Sequence, residues 1–563
     1  VREGQQSEIE RICQLPFSHA ALDGLAAFLT RVGASRELRP VQLAAIAEFV
    51  TMRGGVGPIG VGHGKTLIAL LTGTALGAEH TIILTRPGAV AQLETDLIEA
   101  RKDFHVRSVE IMSYDAISRQ KLGEPEALKA AARGWPDDRL LIVADEAHAL
   151  KDIGSNRTRR LTRFLTEHPA VMFVALSGTF YDRQMAQFSH LFDLALGSGS
   201  PYPRPRFQIE HARIAQCLDA DGQPSHHDWA AVASMWRLYY PHLDMWSLST
   251  SQRRSALREA WAHRLAWCPG VHVAAGTSCD ASIEIKLLPL IPTELIASAL
   301  TYVRNTGDNL DGIPLLDDAQ RASCLLTITC GYFFRTVWPA STTDEQRKHW
   351  LSARGHYSKL LRSEIETESR YDYDSRGLIE QTMRIALETR GPESELEKAY
   401  VAWKEQEALI EPGSECVWLD FYMVDFVVSF VARHKQPWLV WYQGIPFGDQ
   451  LGARGLRVYG ANSNPETDPG HSSICLSIDA HTESINMQRF SRNLVLIPPG
   501  RGAKWEQLVG RTHRQGQHAD VIEVRVLAGT TELDKLLDKA RRDALYRQTS
   551  TGVPERLCFA SWR

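Results

Sequence analysis

Three short stretches carry the residue types that could do chemistry on a phosphoanhydride. The first runs from Gly60 to Thr66, GVGHGKT, directly before the aliphatic LIALL. Glycines at Gly60, Gly62 and Gly64 let backbone N–H groups turn inward around phosphate oxygens, and the following helix adds the positive end of its dipole. Lys65 can then reach the β- and γ-phosphates and Thr66 can ligate magnesium. The strict eight-residue pattern asks for glycine where this chain has Ile59. The second stretch is VADEAHALKD from Val143 to Asp152, in which Asp145 and Glu146 follow the apolar run LLIVA. Two carboxylates at the C-terminal end of a buried strand sit where open α/β sheets bind ligands. Asp145 is expected as a magnesium ligand and Glu146 as the group that orients the attacking water. The third stretch, QLVGRTHRQGQ from Gln507 to Gln517, offers Arg511 and Arg514, which share a face if the segment is helical. Arginines so far from the glycine loop in sequence can stabilise charge on a transferred phosphoryl group when a second lobe closes on the first.

The elements that must position these residues are legible as alternating strands and helices. TIILTR at Thr81, LLIVAD at Leu140 and VMFVALS at Val171 read as strands buried on both faces. A second series, PWLVWYQ at Pro437, LRVYG at Leu456, SICLSID at Ser473, NLVLIPP at Asn493 and VIEVRVL at Val521, predicts a second α/β lobe. Residues between them are dominated by helical patterns such as SELEKAYVAWKEQEALIE. The expected organisation is an N-terminal lobe over 1–198, a largely helical middle region over 199–412 and a C-terminal lobe over 413–563. That is an α/β fold of two parallel-sheet lobes with a helical insertion or protrusions between them.

With 44% hydrophobic and 23% charged residues, the chain has the balance of a folded protein rather than a disordered one. A net charge of −4 means that any nucleic-acid contact must come from local patches. Nine cysteines include no CxxC pair and no zinc-finger spacing, so reduced buried thiols are expected. The most apolar stretch, VWLDFYMVDFVVSFVARH at Val417 to His434, is interrupted by Asp420 and Asp425 and reads as a core helix, not a membrane span. An intracellular, soluble protein is the expectation.

DEAHALKDIGSNRTRRL, from Asp145 to Leu161, and QLVGRTHRQGQ resemble motifs II and VI of helicase superfamily 2, and within it the SWI/SNF-like ATPases that translocate on DNA. Weaker likenesses follow in the same order. LRPVQLAAIAEF at Leu38 is similar to the segment before the family's phosphate loop and implies adenine recognition by Gln42. RPGAVAQLETDL at Arg86 and MSYDAI at Met112 look like strand-tracking elements, with hydroxyl contacts from Ser113 and Tyr114. Ser177 to Thr179, SGT, resembles motif III, which couples nucleotide state to nucleic acid, although Phe180 stands where the family has proline. TESINM at Thr482 is a reduced motif V in which Asn486 is the position carried over.

The resemblance covers about 36–195 and 415–545. It implies two RecA-like lobes, ATP and Mg²⁺ as cofactors, Gln507 as a further motif VI residue, and double-stranded DNA gripped through its phosphate backbone. Arg157 belongs to a basic run with Arg159, Arg160 and Arg163 that is compatible with such contact. Two other readings stay open: a strand-separating DNA or RNA helicase, and a nucleotide-gated scaffold without coupled turnover. The middle region offers room for a protein partner. Its tryptophans, Trp229, Trp236, Trp246, Trp261 and Trp267, near Arg253, Arg254 and Arg258, fit a helical core better than a single-strand stacking platform.

Overall fold

The structure is a computed structural model that describes residues 7–60, 62–118, 126–178, 180, 184–219, 222–274, 279–366, 376–461, 463–482 and 485–563. Five strands, β1 (Gly55–Pro58), β2 (His80–Thr85), β3 (Ser108–Ser113), β4 (Leu140–Asp145) and β5 (Met172–Ser177), form an all-parallel sheet in the order β1-β5-β4-β2-β3. Helices Lys65–Leu76, Val90–Asp103 and Asn156–Glu167 make the crossovers that parallel pairing requires. Because both faces are covered, β1, β2 and β5 are buried along their whole length, which is why β2 and β5 read as continuous apolar runs.

Strand order determines what meets at the C-terminal edge of this sheet. Pro58 pairs with Ser177 and Asp145 pairs with Leu176. The glycine loop after β1, the acidic pair ending β4 and the serine ending β5 are thus brought to neighbouring strand ends, about 4.8 Å apart from one strand to the next.

Seven more parallel strands build the second sheet, in the order β10-β11-β9-β12-β13-β6-β14. In chain order they are β6 (Ser282–Pro289), β9 (Leu439–Tyr442), β10 (Arg457–Tyr459), β11 (Ile474–Ser477), β12 (Arg492–Val495), β13 (Val521–Ala528) and β14 (Ser561–Trp562). Two strands between them in sequence, β7 (Tyr332–Val337) and β8 (Gly413–Trp418), pair antiparallel with each other. Two α/β lobes result.

The middle region divides differently from the expected 199–412 block. Residues 201–274 belong with the first lobe: Tyr202, Trp229, Trp236 and Trp261 share one core with Val56, Ile82, Ile142 and Phe173. Residues 270–274 also run beside β1, with Val56 N–H donating to Gly270 O at 2.9 Å and His272 N–H to Val56 O at 3.1 Å. The chain then enters the second lobe at β6, which pairs with β13 over eight residues, far before position 413. In SIEIKLLP only Ile283 and Ile285 are buried, alternating with Glu284 and Lys286, so the strand is not one of the continuous apolar runs by which the others are read. Among the described residues, those between β7 and β8 form a helical protrusion, which leaves and returns through the β7–β8 pair. Trp350, Tyr357, Ile379 and Trp403 share a core there with Ile313 and Leu316.

Of the five tryptophans of 229–267, Trp229, Trp236 and Trp261 are core residues, whereas Trp246 and Trp267 are 42% exposed. The apolar stretch at Val417 splits into the end of β8 and the helix Tyr422–Arg433, and Asp420 caps that helix by accepting from Tyr422 N–H at 2.8 Å. No helix among the described residues is long and apolar enough to cross a membrane. Outside the sheet edges the lobes also meet through the helix Thr531–Thr551. Its Tyr546 packs in the first lobe's core, donates to Leu218 O at 3.4 Å and lies under the Arg258 guanidinium at 4.0 Å.

Candidate functional site

The glycine loop works because two of its residues occupy conformations that side chains resist. Gly62 and Gly64 have φ of +95° and +77°, in the left-handed region open to glycine at no cost. At Gly64 a Cβ would also run into Gln42 Nε2 and Arg39 Nη2. Those two side chains brace the loop: Arg39 donates to Gly62 O at 3.3 Å and Gln42 Nε2 to Gly64 O at 3.4 Å, while Gln42 Oε1 accepts from Arg39 N–H at 2.9 Å. The amide of Gln42 is buried and bonds the protein's own backbone. Arg39 faces the adjoining cavity. Gly60 lies outside both cavity linings, and a Cβ there would meet His63 only at an ordinary 3.5 Å.

Lys65, the first residue of its helix, folds back to donate to Ile59 O at 3.2 Å and stands 3.8 Å from Glu146 Oε1. Glu146 itself has φ +51°, a conformation that costs a non-glycine residue about 1–3 kcal/mol and is held by its surroundings. Tyr114 donates its hydroxyl to Asp145 O at 2.7 Å, and Thr85 Oγ1 donates to Asp145 Oδ2 at 3.4 Å. His148 connects the neighbouring strand ends. Its Nδ1 lies 3.1 Å from Ser177 Oγ and 3.3 Å from Glu146 Oε2, and its Nε2 meets Arg86 Nη2.

Two adjacent carboxylates in so little water cannot both carry charge cheaply. Burial, then the Glu146 charge, pushes Asp145 up to about 7. Burial also works against the Glu146 carboxylate, but Lys65, His148 and Arg86 together outweigh it and hold it well below the ordinary range.

The second lobe supplies the opposite wall. Here the helix Gly502–Val509 ends before Arg511, and residues 510–516 are a series of turns. The two arginines therefore do not share a helix face, yet both reach the same cavity. Arg511 is 8% exposed and donates from Nε to Thr482 O at 2.8 Å and from Nη1 to Ile485 O at 3.1 Å. Burial, with Arg514 beside it, lowers Arg511 to about 10, which leaves it charged at neutral pH. Gln507, on the helix, is buried and lines neither cavity. Gln517 holds the turns in place through Nε2 bonds to the carbonyls of Gln488, Phe490 and Thr512, at 2.9, 3.0 and 3.0 Å.

Between the lobes lies a cavity of about 300 Å³. Gly62, Lys65, Thr66, Arg86, Asp145 and Glu146 line it from the first lobe, and Glu466, Asn486, Arg511 and Arg514 from the second. A second cavity of about 370 Å³ adjoins it, sharing Gly62, Gly64, Thr66, Asp96 and Arg514. Lys65, Arg86, Arg511 and Arg514 with a helix N-terminus suit a polyphosphate. Thr66 and Asp145 offer the hard oxygens that magnesium prefers. Among the described residues no cluster of three or more His, Cys, Asp or Glu side chains could hold a metal alone. A magnesium ion fits this site only as one that takes its other ligands from phosphate and water, which is its usual mode.

The residues expected to couple to nucleic acid fare unevenly. Tyr114 and Ser177 are buried and bonded inside the first lobe, to Asp145 O and His148, so neither presents a hydroxyl to an outside phosphate. Ser113 Oγ caps the following short helix, accepting from Ala116 N–H at 3.2 Å. Thr179 lies outside the described residues. Asn486 lines the cavity with its Oδ1 buried and without a donor. Arg157 is half-buried, its Nε likewise without a partner, and its charge acts on Arg86 and Tyr114. Arg160 instead donates to Ile117 O at 2.6 Å, and Arg163 pairs with Glu126.

Arg86, His148, Arg39 and Glu466 were not singled out by residue type and spacing. Arg86 and His148 fall inside strings with a recognisable pattern, but nothing in the sequence signals that Glu466 reaches the cavity. No protein-family model matches the chain, and no curated protein matches it significantly.

Proposed function

We propose that the chain is an ATP- and magnesium-dependent double-stranded DNA translocase of the SWI/SNF-like type, with two RecA-like lobes that close on the nucleotide. The observation that carries the ATPase part is the meeting, in one cavity, of Lys65, Thr66, Asp145 and Glu146 from one lobe with Arg511 and Arg514 from the other. The strand order β1-β5-β4-β2-β3, with glycine loop and acidic pair on the strand ends either side of β5, supports the same reading.

In this mechanism the loop amides and Lys65 hold the β- and γ-phosphates, and Thr66 and Asp145 would hold magnesium. Bound there, the ion would neutralise charge developing on the phosphates. Glu146, ionised at neutral pH, accepts a hydrogen bond from the attacking water and aligns it with the γ-phosphorus. Arg511 and Arg514 stabilise the leaving and equatorial oxygens only when the lobes are together. His148, joined to Glu146, Arg86 and Ser177, ties the state of the acidic pair to the end of β5. Arg511, bonded to the carbonyls of Thr482 and Ile485, ties the second lobe's response to the segment before β12.

The duplex-DNA part rests on the likeness of Asp145 to Leu161 and Gln507 to Gln517 to that family's motifs. Its phosphate contacts must come from residues other than Tyr114 and Ser177. Steady-state ATP hydrolysis with no nucleic acid, duplex DNA, single-stranded DNA and RNA tests the proposal, with Glu146→Gln as control. Stimulation by duplex DNA that disappears in the control is the expected result. Preference for single strands or RNA would replace it with a strand-separating helicase, and nucleotide binding without stimulated turnover with a nucleotide-gated scaffold.

A further inference from the structure

Glu466 is out of place by charge. It sits in the single turn Pro465–Thr467 between β10 and β11, and this turn is firmly built. Asn464 Oδ1 accepts from Glu466 N–H at 3.0 Å, and Arg489 Nη2 donates to Pro465 O at 2.6 Å. Glu466 Oε1 accepts from Asn486 N–H at 2.6 Å, fixing the carboxylate at the cavity wall. A polyphosphate entering this cavity would meet Glu466 in addition to Asp96, Asp145 and Glu146. Asp145 has a magnesium ion to neutralise it in the proposed mechanism and Glu146 a water to orient, but Glu466, on the opposite lobe, has neither task.

Its neighbours supply one. Glu146 acts on Arg511 and Asp96 on Arg514, but the negative charge of Glu466 acts on both, across the cavity rather than through a direct ion pair, and all three second-lobe residues line that cavity. Two half-buried or buried guanidinium groups side by side repel one another in a low-dielectric setting unless an anion stands between them. Asn486 Oδ1, a buried acceptor without a donor on that wall, adds a second site of negative potential.

We propose that Glu466 is a positioning residue that stands in for the γ-phosphate: it is the counter-ion of Arg511 and Arg514 until a nucleoside triphosphate replaces it. The inference rests on the nucleotide reading of the cavity and adds a selectivity to it. A triphosphate that reaches the two arginines takes over the balancing of their charge from Glu466 and is repelled by it, whereas a diphosphate that stops short leaves that balance as it is. The second lobe thus responds to the γ-phosphate by exchanging one anion for another, with its arginines held in position throughout.

The test compares Kd for the magnesium complexes of ADP and of a non-hydrolysable ATP analogue, in the wild type and in Glu466→Gln. Glutamine still accepts the Asn486 N–H, so the turn is kept and only the charge is lost. The analogue is expected to bind about tenfold tighter to the variant and ADP less than about twofold, as removal of one like charge across a partly screened cavity implies. Glu466→Asp, which keeps the charge but withdraws it by one methylene, should fall between. Equal changes for the two nucleotides, weaker analogue binding, or identical behaviour of the Gln and Asp variants would overturn the counter-ion role alone. A wild-type chain that binds neither nucleotide would overturn the site assignment, and this role with it.

Discussion

Arg511→Lys separates charge from geometry at the second lobe's wall. The guanidinium serves two carbonyls, Thr482 O and Ile485 O, through two nitrogens in a fixed fork. A lysine ammonium is a single donor centre and cannot repeat that pattern. A hydrogen bond from a charged group contributes about 1.5–3 kcal/mol net, so losing one of the two should weaken this segment locally by that amount. Since each 1.4 kcal/mol is tenfold, opening of the segment should become about 10- to 150-fold more frequent. The burial that lowers Arg511 to about 10 would act on a lysine whose ordinary value is already near 10.4, bringing it toward neutral pH and weakening the remaining bond further. Hydrogen–deuterium exchange followed on a peptide spanning 478–490 reads this directly. Met487 N–H, bonded to Arg511 O at 3.1 Å, lies within it as a reporter. Protection should fall there and remain unchanged in β4 of the first lobe. A change below about threefold, or equal loss in both lobes, would refute the assignment of the Arg511 fork as the tie between these turns. Under the proposed function ATP turnover falls in parallel, by about 10³-fold.

Two further outcomes follow from buried charge. Arg556 donates to Glu506 Oε2 at 2.5 Å and to His513 O at 2.9 Å, both partners being buried. Arg556→Ala removes the cation beside Glu506, leaving that carboxylate the backbone N–H of residue 556, and should cost about 3–5 kcal/mol in urea unfolding, whereas the double change Arg556→Met with Glu506→Leu should recover at least half of it. Glu8 shows the acid limb: burial alone would raise its carboxyl, but Arg204 at 2.6 Å and Arg11 at 2.9 Å overrule that and hold it at about 2, below the ordinary 4.5. A depressed folded-state value means that stability is fully present above 4.5 and lost as pH falls through about 2. Thermal melts should therefore show Glu8→Gln less stable than the wild type at pH 7, with the gap closing across that window. A gap that persists unchanged at the acid end would contradict the linkage.

Much of the architecture was legible because buried parallel strands announce themselves. All eight strand stretches read from apolar runs are strands, and SELEKAYVAWKEQEALIE is the helix Glu395–Leu409, begun by a Ser394–Glu397 capping box. The strands missed were those whose partners, not composition, make them strands. β1 is GVGP, β3 has one exposed face, and β6 buries only Ile283 and Ile285, next to Glu284 and Lys286. Missing β6 displaced the lobe boundary, because pairing with β13 more than 230 residues later leaves no local trace.

Sequence by itself determined which residues could handle phosphate, since glycines that need positive φ, a lysine at a helix start and an acidic pair after an apolar strand are local patterns with local physical causes. Tertiary structure alone decided who shares the cavity and who is spent elsewhere. Gln42 turned inward to brace the loop, and Tyr114 and Ser177 were consumed by Asp145 O and His148. Arg511 and Arg514 reached one wall from a series of turns, and Glu466 arrived beside them from a segment with no chemical signature. Burial, hydrogen-bond satisfaction and charge pairing are properties of neighbours in space, and strand order, which brings those neighbours together, is not written in any one stretch of chain.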